Sequence, residues 1–111
     1  MTPISIVISA ASIPALTLCF KSMVKYKIDF LYHEIIVACD EYDHEMISFL
    51  NLISLPIKVL IVPNSPEMNR DTSASNCWLK GIEESKNELI LVTHDDTEII
   101  DEKYLPYHIG T

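Results

Sequence analysis

Short, nearly unbroken apolar runs alternate along the chain with stretches in which apolar residues recur every three or four positions. The first run, Ile4-Ser5-Ile6-Val7-Ile8, is short and β-branched, so it predicts a buried strand. Ile13, Leu16, Phe20, Met23 and Val24 then follow at helical spacing, behind Ser12 as a helix N-cap and Pro14 in a first turn. That pattern predicts a helix over 13–25 with one apolar face. A second apolar run at 34–39 predicts a strand, and polarity returns at Asp40 and Glu41. Met46, Phe49, Leu50 and Ile53 mark a second helix that Pro56 stops, and 57–62 predict a third strand. Pro63-Asn64-Ser65-Pro66 has loop composition. A third helix is expected from Thr72 or Ser73, with a small inner face of Ala74, Cys77, Gly81 and Ser85 flanked by Trp78 and Ile82. Residues 89–92 predict a fourth strand leading into His94-Asp95-Asp96-Thr97.

Strand and helix thus alternate from the first element to the last. Apolar strands with no polar alternation imply burial on both faces, which is the condition of a parallel sheet. Right-handed crossovers then put helices on both sides, giving a three-layer α/β architecture in one domain over 1–111. No repeat, low-complexity segment or domain boundary interrupts it.

Composition narrows the partners. The formal charge of −8 speaks against nucleic acid, since phosphates are neutralised by clustered Lys and Arg. It speaks equally against an anionic membrane surface. No apolar run reaches transmembrane length, and no basic stretch precedes the first one, so no targeting or spanning segment is expected. Cys19, Cys39 and Cys77 fit no zinc or redox spacing and have apolar neighbours. Buried free thiols point to a reducing compartment, hence the cytoplasm.

In an open parallel sheet, ligands bind beyond the carboxyl ends of the strands. This rule selects Ser9, Ala10, Ala11 and Ser12, then Asp40 and Glu41, then Asn64 and Ser65, then His94 to Thr97. Asp95 and Asp96 carry carboxylates suited to Mg²⁺ or Mn²⁺, and such an ion can bridge a diphosphate. The same two acids also suit the plainer task of capping a turn. Asp40 can accept from a base N–H or from ribose hydroxyls, or can cap the second helix. Arg70, just ahead of the third helix, can hold phosphate with help from that helix's positive end, or stand solvated. His94 adjoins the acidic pair and can ligate a metal or orient a carboxylate. His33, His44 and His108 form no ligand spacing and are expected to be structural or exposed.

Together these segments resemble a family 2 glycosyltransferase of the GT-A, Rossmann-like type. Ser5-Ile6-Val7-Ile8-Ser9-Ala10-Ala11-Ser12 is similar to the opening strand and loop of that family. Residues 34–42 resemble its second strand, with Asp40 at the position expected to contact the base. Arg70, Ala74, Asn76, Gly81, Ile82 and Glu84 match its third segment loosely. Glu88 to Ile99 resembles the strand that carries the D-x-D motif, with His94 at the first acidic position. Cys39 and Glu41 depart from the second-strand pattern.

The resemblance implies a nucleotide-diphosphate sugar as ligand. Ser9, Ala10, Ser12, Asp40, Arg70 and Asp95 would hold the nucleotide, and Asp96, Asp95 and His94 would hold Mn²⁺ or Mg²⁺. The family's acceptor site and general base come from a second half that would follow the D-x-D strand. The chain is therefore expected to be either part of a longer enzyme or a non-catalytic binding or oligomerisation module. On this resemblance the catalytic-base half is expected to be lacking from these residues, and nothing after Asp96 looks like a substitute for its base, Asp101 and Glu102 aside. A receiver-like domain fits less well, because Ser9-Ala10-Ala11-Ser12 stands where it needs acids, and a cofactor-binding Rossmann domain lacks its glycine-rich turn.

Overall fold

The computed structural model describes residues 2–96. Its elements in chain order are β1 (Ser5–Ser9), α1 (Ile13–Lys25), β2 (Glu34–Asp40), α2 (His44–Leu52), β3 (Lys58–Val62), α3 (Arg70–Glu84) and β4 (Ile90–His94). The four strands form one parallel sheet in the order β3-β2-β1-β4. β1 is central: Val7 lies opposite Ile36 on one side and Val92 on the other.

Alternation along the strands divides the interior into two unequal halves. Ile4, Ile6 and Ile8 of the first segment and Ile35, Val37 and Cys39 of β2 face one way. They pack with Leu16, Cys19, Phe20 and Met23 of α1 and with Met46 and Leu50 of α2. The opposite face carries α3 and a much smaller apolar cluster of Ala38, Val62 and Cys77. Three layers result, as the alternating pattern predicts.

α3 can lie close to β1 because of Gly81. A Cβ at this position would fall 2.2 Å from Cγ1 of Val7, well inside contact distance. The glycine is required here for space, since its backbone is ordinary helix. The small inner face expected for α3 is present in part: Ser73, Cys77 and Gly81 are buried, while Ile82 is exposed.

Local signals set the ends of the helices. Ser12 caps α1, its Oγ accepting from the Ala15 amide at 3.4 Å. α1 ends in a Schellman turn: the amides of Lys27 and Ile28 donate to the carbonyls of Val24 and Met23, and Lys27 takes φ 58. Asp43, not Asp40, caps α2 through the Met46 amide at 3.2 Å. α3 begins at Arg70, earlier than the expected Thr72 or Ser73, because Asn69 Oδ1 accepts from the Thr72 amide at 2.9 Å. His33 is buried, and its Nδ1 accepts from the Ile4 amide at 3.1 Å.

Candidate functional site

Parallel strands all present their carboxyl ends at one edge of the sheet, and a cleft of ≈ 470 Å³ opens there. β1 contributes Ser9 and the adjoining Ala10, and β2 contributes Asp40. α3 contributes Arg70 and Ser73, and the end of β4 contributes His94, Asp95 and Asp96. Seven of the eight site residues expected from the sequence therefore line a single cleft: Ser9, Ala10, Asp40, Arg70, His94, Asp95 and Asp96.

Ser12 is the exception, and the reason is visible in its hydrogen bonds. Its hydroxyl is spent on capping α1. Its amide, with that of Ala11, donates to Oδ2 of Asp95, both at 2.7 Å. Asp95 is itself buried, and its own amide donates to the Ser9 carbonyl at 3.2 Å. One carboxylate thus ties the end of β4 to the loop between β1 and α1. It also fills the amide pair at the start of α1, where an outside anion would otherwise bind. Charge-assisted bonds of this kind are roughly twice as strong as neutral ones.

Asp40 is held in a second network. Its Oδ1 accepts from Nδ2 of Asn64 at 2.5 Å, and the Cys77 thiol lies 3.9 Å away. Asn64 is buried, donates also to the Ser73 carbonyl at 3.2 Å, and accepts from Nδ2 of Asn76 at 2.8 Å. The side-chain amide therefore joins the ends of β2 and β3 to the first half of α3. Strand-end logic puts Asn64 on this rim, but only the folded chain reveals that it fixes Asp40.

Tyr42 was not singled out by sequence reasoning, although it follows β2 by two residues and lines the cleft. Burial, and then the Asp40 carboxylate beside it, keep its phenol protonated above the usual range. From α3, Trp78 donates to the Thr93 carbonyl at 2.9 Å and meets the His94 ring edge-on at 4.7 Å. The indole holds the end of β4, and with it His94, against α3.

The cysteines are poorly suited to nucleophilic chemistry. Burial, with a smaller contribution from Asp40, pushes the Cys77 thiol up to about 12, and burial raises Cys19 and Cys39 to about 11 each. All three are unbridged.

The cleft is acidic: Asp40, Asp71, Asp95 and Asp96 face one guanidinium, that of Arg70. Acidity alone does not make a metal centre. Among the described residues, no group of three His, Cys, Asp or Glu side chains is placed to hold an ion. The expected ligands Asp95, Asp96 and His94 share the cleft, with Asp95 Oδ2 already engaged by two amides and the His94 ring by Trp78. Asp101, Glu102 and His108 lie outside the described residues.

Set against known proteins, the chain matches no family model and no curated protein. Among the described residues, no helix is long and apolar enough to cross a membrane.

Proposed function

We propose that this cleft binds a nucleotide-diphosphate sugar, in the manner of the donor half of a family 2 glycosyltransferase. The observation that carries this reading is the convergence of Asp40, Arg70 and the His94–Asp96 segment on one groove at the carboxyl edge of the sheet. Each group has a task that suits its chemistry. Asp40, an acceptor only and braced by Asn64, takes a base N–H or the ribose hydroxyls. Arg70, the first residue of α3, meets the phosphates together with the positive end of that helix. Asp95 holds the β1–α1 loop in place rather than touching the ligand through Oδ2. Asp96, exposed at the rim, is the carboxylate nearest in kind to the D-x-D role. A divalent ion, when bound, would offset negative charge on the diphosphate. The unbridged thiols favour a reducing compartment such as the cytoplasm.

Calorimetric titration of UDP, GDP and dTDP, each with and without Mn²⁺, tests the proposal. Binding of at least one nucleotide, weakened in Arg70→Ala and in Asp40→Ala, is the expected result. No heat from any of them under either condition would remove the proposal for this chain.

A second reading, a non-catalytic pairing module, is favoured by one observation. Among the described residues β4 is an outer strand of the sheet, and Val92 on it is 40% exposed. Unpaired edges are templates for association. Sedimentation separates the two: a monomer that binds nucleotide supports the donor site, and a tight dimer without nucleotide affinity supports the module.

A further inference from the structure

The formal charge of −8 is unevenly distributed along the chain. All sixteen acidic residues follow Ile28, whereas Lys21, Lys25 and Lys27 precede it. The outward side of α1 therefore carries lysines and no acid. Leu18, 67% exposed, and Val24, 56% exposed, stand on that side at helical spacing from Lys21 and Lys25. An outward helix face ordinarily mixes polar residues of both signs and shows few large apolar ones.

Two concavities flank this ridge, and both lysines line each of them. One, of ≈ 460 Å³, lies between α1 and α2 and is walled by Phe20, Val24, Phe49, Ile53 and Leu55. The other, of ≈ 390 Å³, is walled by Ala15, Leu18 and Cys19, with Asp96 as the one acid among its described residues. The Tyr26 ring lies beneath Lys25, its centroid 5.3 Å from Nζ. The other lysines in ion pairs sit elsewhere: Lys58 meets Glu84, and Lys80 meets Glu83 and Glu84. Among the described residues, Lys21 and Lys25 pair with no carboxylate.

We propose that this face of α1 and α2 docks on an anionic bilayer surface. Lys21 and Lys25 meet the lipid headgroups, and Leu18 and Val24 reach the acyl boundary. Three observations favour lipid over a protein or a small anion. The unpaired lysines complement anionic headgroups, whose attraction acts within a Debye length of about 8 Å. At that range the charges on the face outweigh the sum over the whole chain. Exposed apolar side chains are interleaved with the lysines, as on helices that lie at a membrane interface, and tyrosine is a residue that gathers at headgroup depth. Apolar troughs lie on both sides of the basic ridge, so the face is extended, whereas a site for one small anion is a single concavity. A second copy of the chain would bring a like net charge of −8 to the contact. The docking stands whether or not the cleft takes a nucleotide.

Co-sedimentation of the full chain with lipid vesicles tests the proposal. Vesicles that mix phosphatidylserine into phosphatidylcholine should retain several-fold more protein than phosphatidylcholine alone, and high salt should remove the excess. Lys21→Glu with Lys25→Glu should abolish it, and Leu18→Ser with Val24→Ser should lower it several-fold. All four side chains are exposed, so the core stays intact. Lys58→Glu with Lys80→Glu, the same charge change on the other side of the sheet, should leave retention unchanged. Equal retention by both kinds of vesicle, an equal loss in the Lys58 and Lys80 variant, or full retention by the Leu18 and Val24 variant would each overturn the proposal. A dimer in sedimentation that Leu18→Ser dissolves would overturn it too, and would make a second copy the occupant.

Discussion

The two faces of the sheet are built to different ends. The face covered by α1 and α2 buries fourteen residues in one apolar cluster, among them Leu16, Met23 and Met46 with no exposure. The face covered by α3 has three buried apolar residues in its cluster, and its buried polar groups include Asn64 and Ser73. Apolar burial contributes about 25 cal/mol per Å² and is indifferent to direction, whereas a buried amide must find partners of defined geometry. The first face therefore carries most of the stability. The second trades apolar contact for a hydrogen-bonded frame that holds Asp40 and the strand ends around a cleft.

Mutations should separate these roles. The largest loss is expected on the apolar face, where Leu16→Ala should cost about 2–5 kcal/mol in urea unfolding without altering the cleft residues. Gly81→Ala tests the close approach of α3. The added Cβ meets Val7, whose branched side chain has little room to yield, so a loss of about 1–3 kcal/mol is expected. Val7→Ala in the same chain removes the clashing Cγ1 and should recover part of that loss. Recovery would not occur if Gly81 served flexibility rather than space.

On the cleft side, Asp95→Ala strips two amides of their acceptor and should cost about 1–3 kcal/mol. Asp95→Asn keeps a neutral acceptor and should lose less. Equal losses would mean that the charge on Asp95 is irrelevant to the loop.

The smallest effect is a pH dependence. Cys77 ionises near 9.0 when unfolded and is pushed up to about 12 in the fold, with Cys19 and Cys39 at about 11. Between these values the native chain holds protons that the unfolded chain has released. Stability is thus complete below about pH 9 and falls as pH rises through the folded values. Urea midpoints on either side of about pH 9 should show the decline, and Cys77→Ala should flatten it.

The architecture was legible because each strand is an apolar run and each helix an apolar stripe. The short range of those signals is also why the start of α3 was misplaced by a few residues: Asn69 within a polar stretch reads as loop until its cap on Thr72 is seen. Most of the cleft followed from strand ends alone. The duty of Asp95 did not, because its partners Ala11 and Ser12 lie more than eighty positions away in the chain. Nothing local distinguishes a carboxylate aimed at a distant loop from one aimed at an ion. The amide relay through Asn64 was hidden for the same reason, since it links Asp40, Ser73 and Asn76 across three elements.

Backbone amide shifts recorded during titration with UDP and Mn²⁺ bear most directly on the division between the two faces. Perturbations should gather at Ser9 to Ala11, Asp40 to Tyr42, Arg70 to Ala74 and His94 to Asp96, and leave Met46 and Leu50 still. Perturbations centred on α1 and α2, or none at saturating nucleotide, would contradict the assignment of ligand binding to the carboxyl edge beside α3.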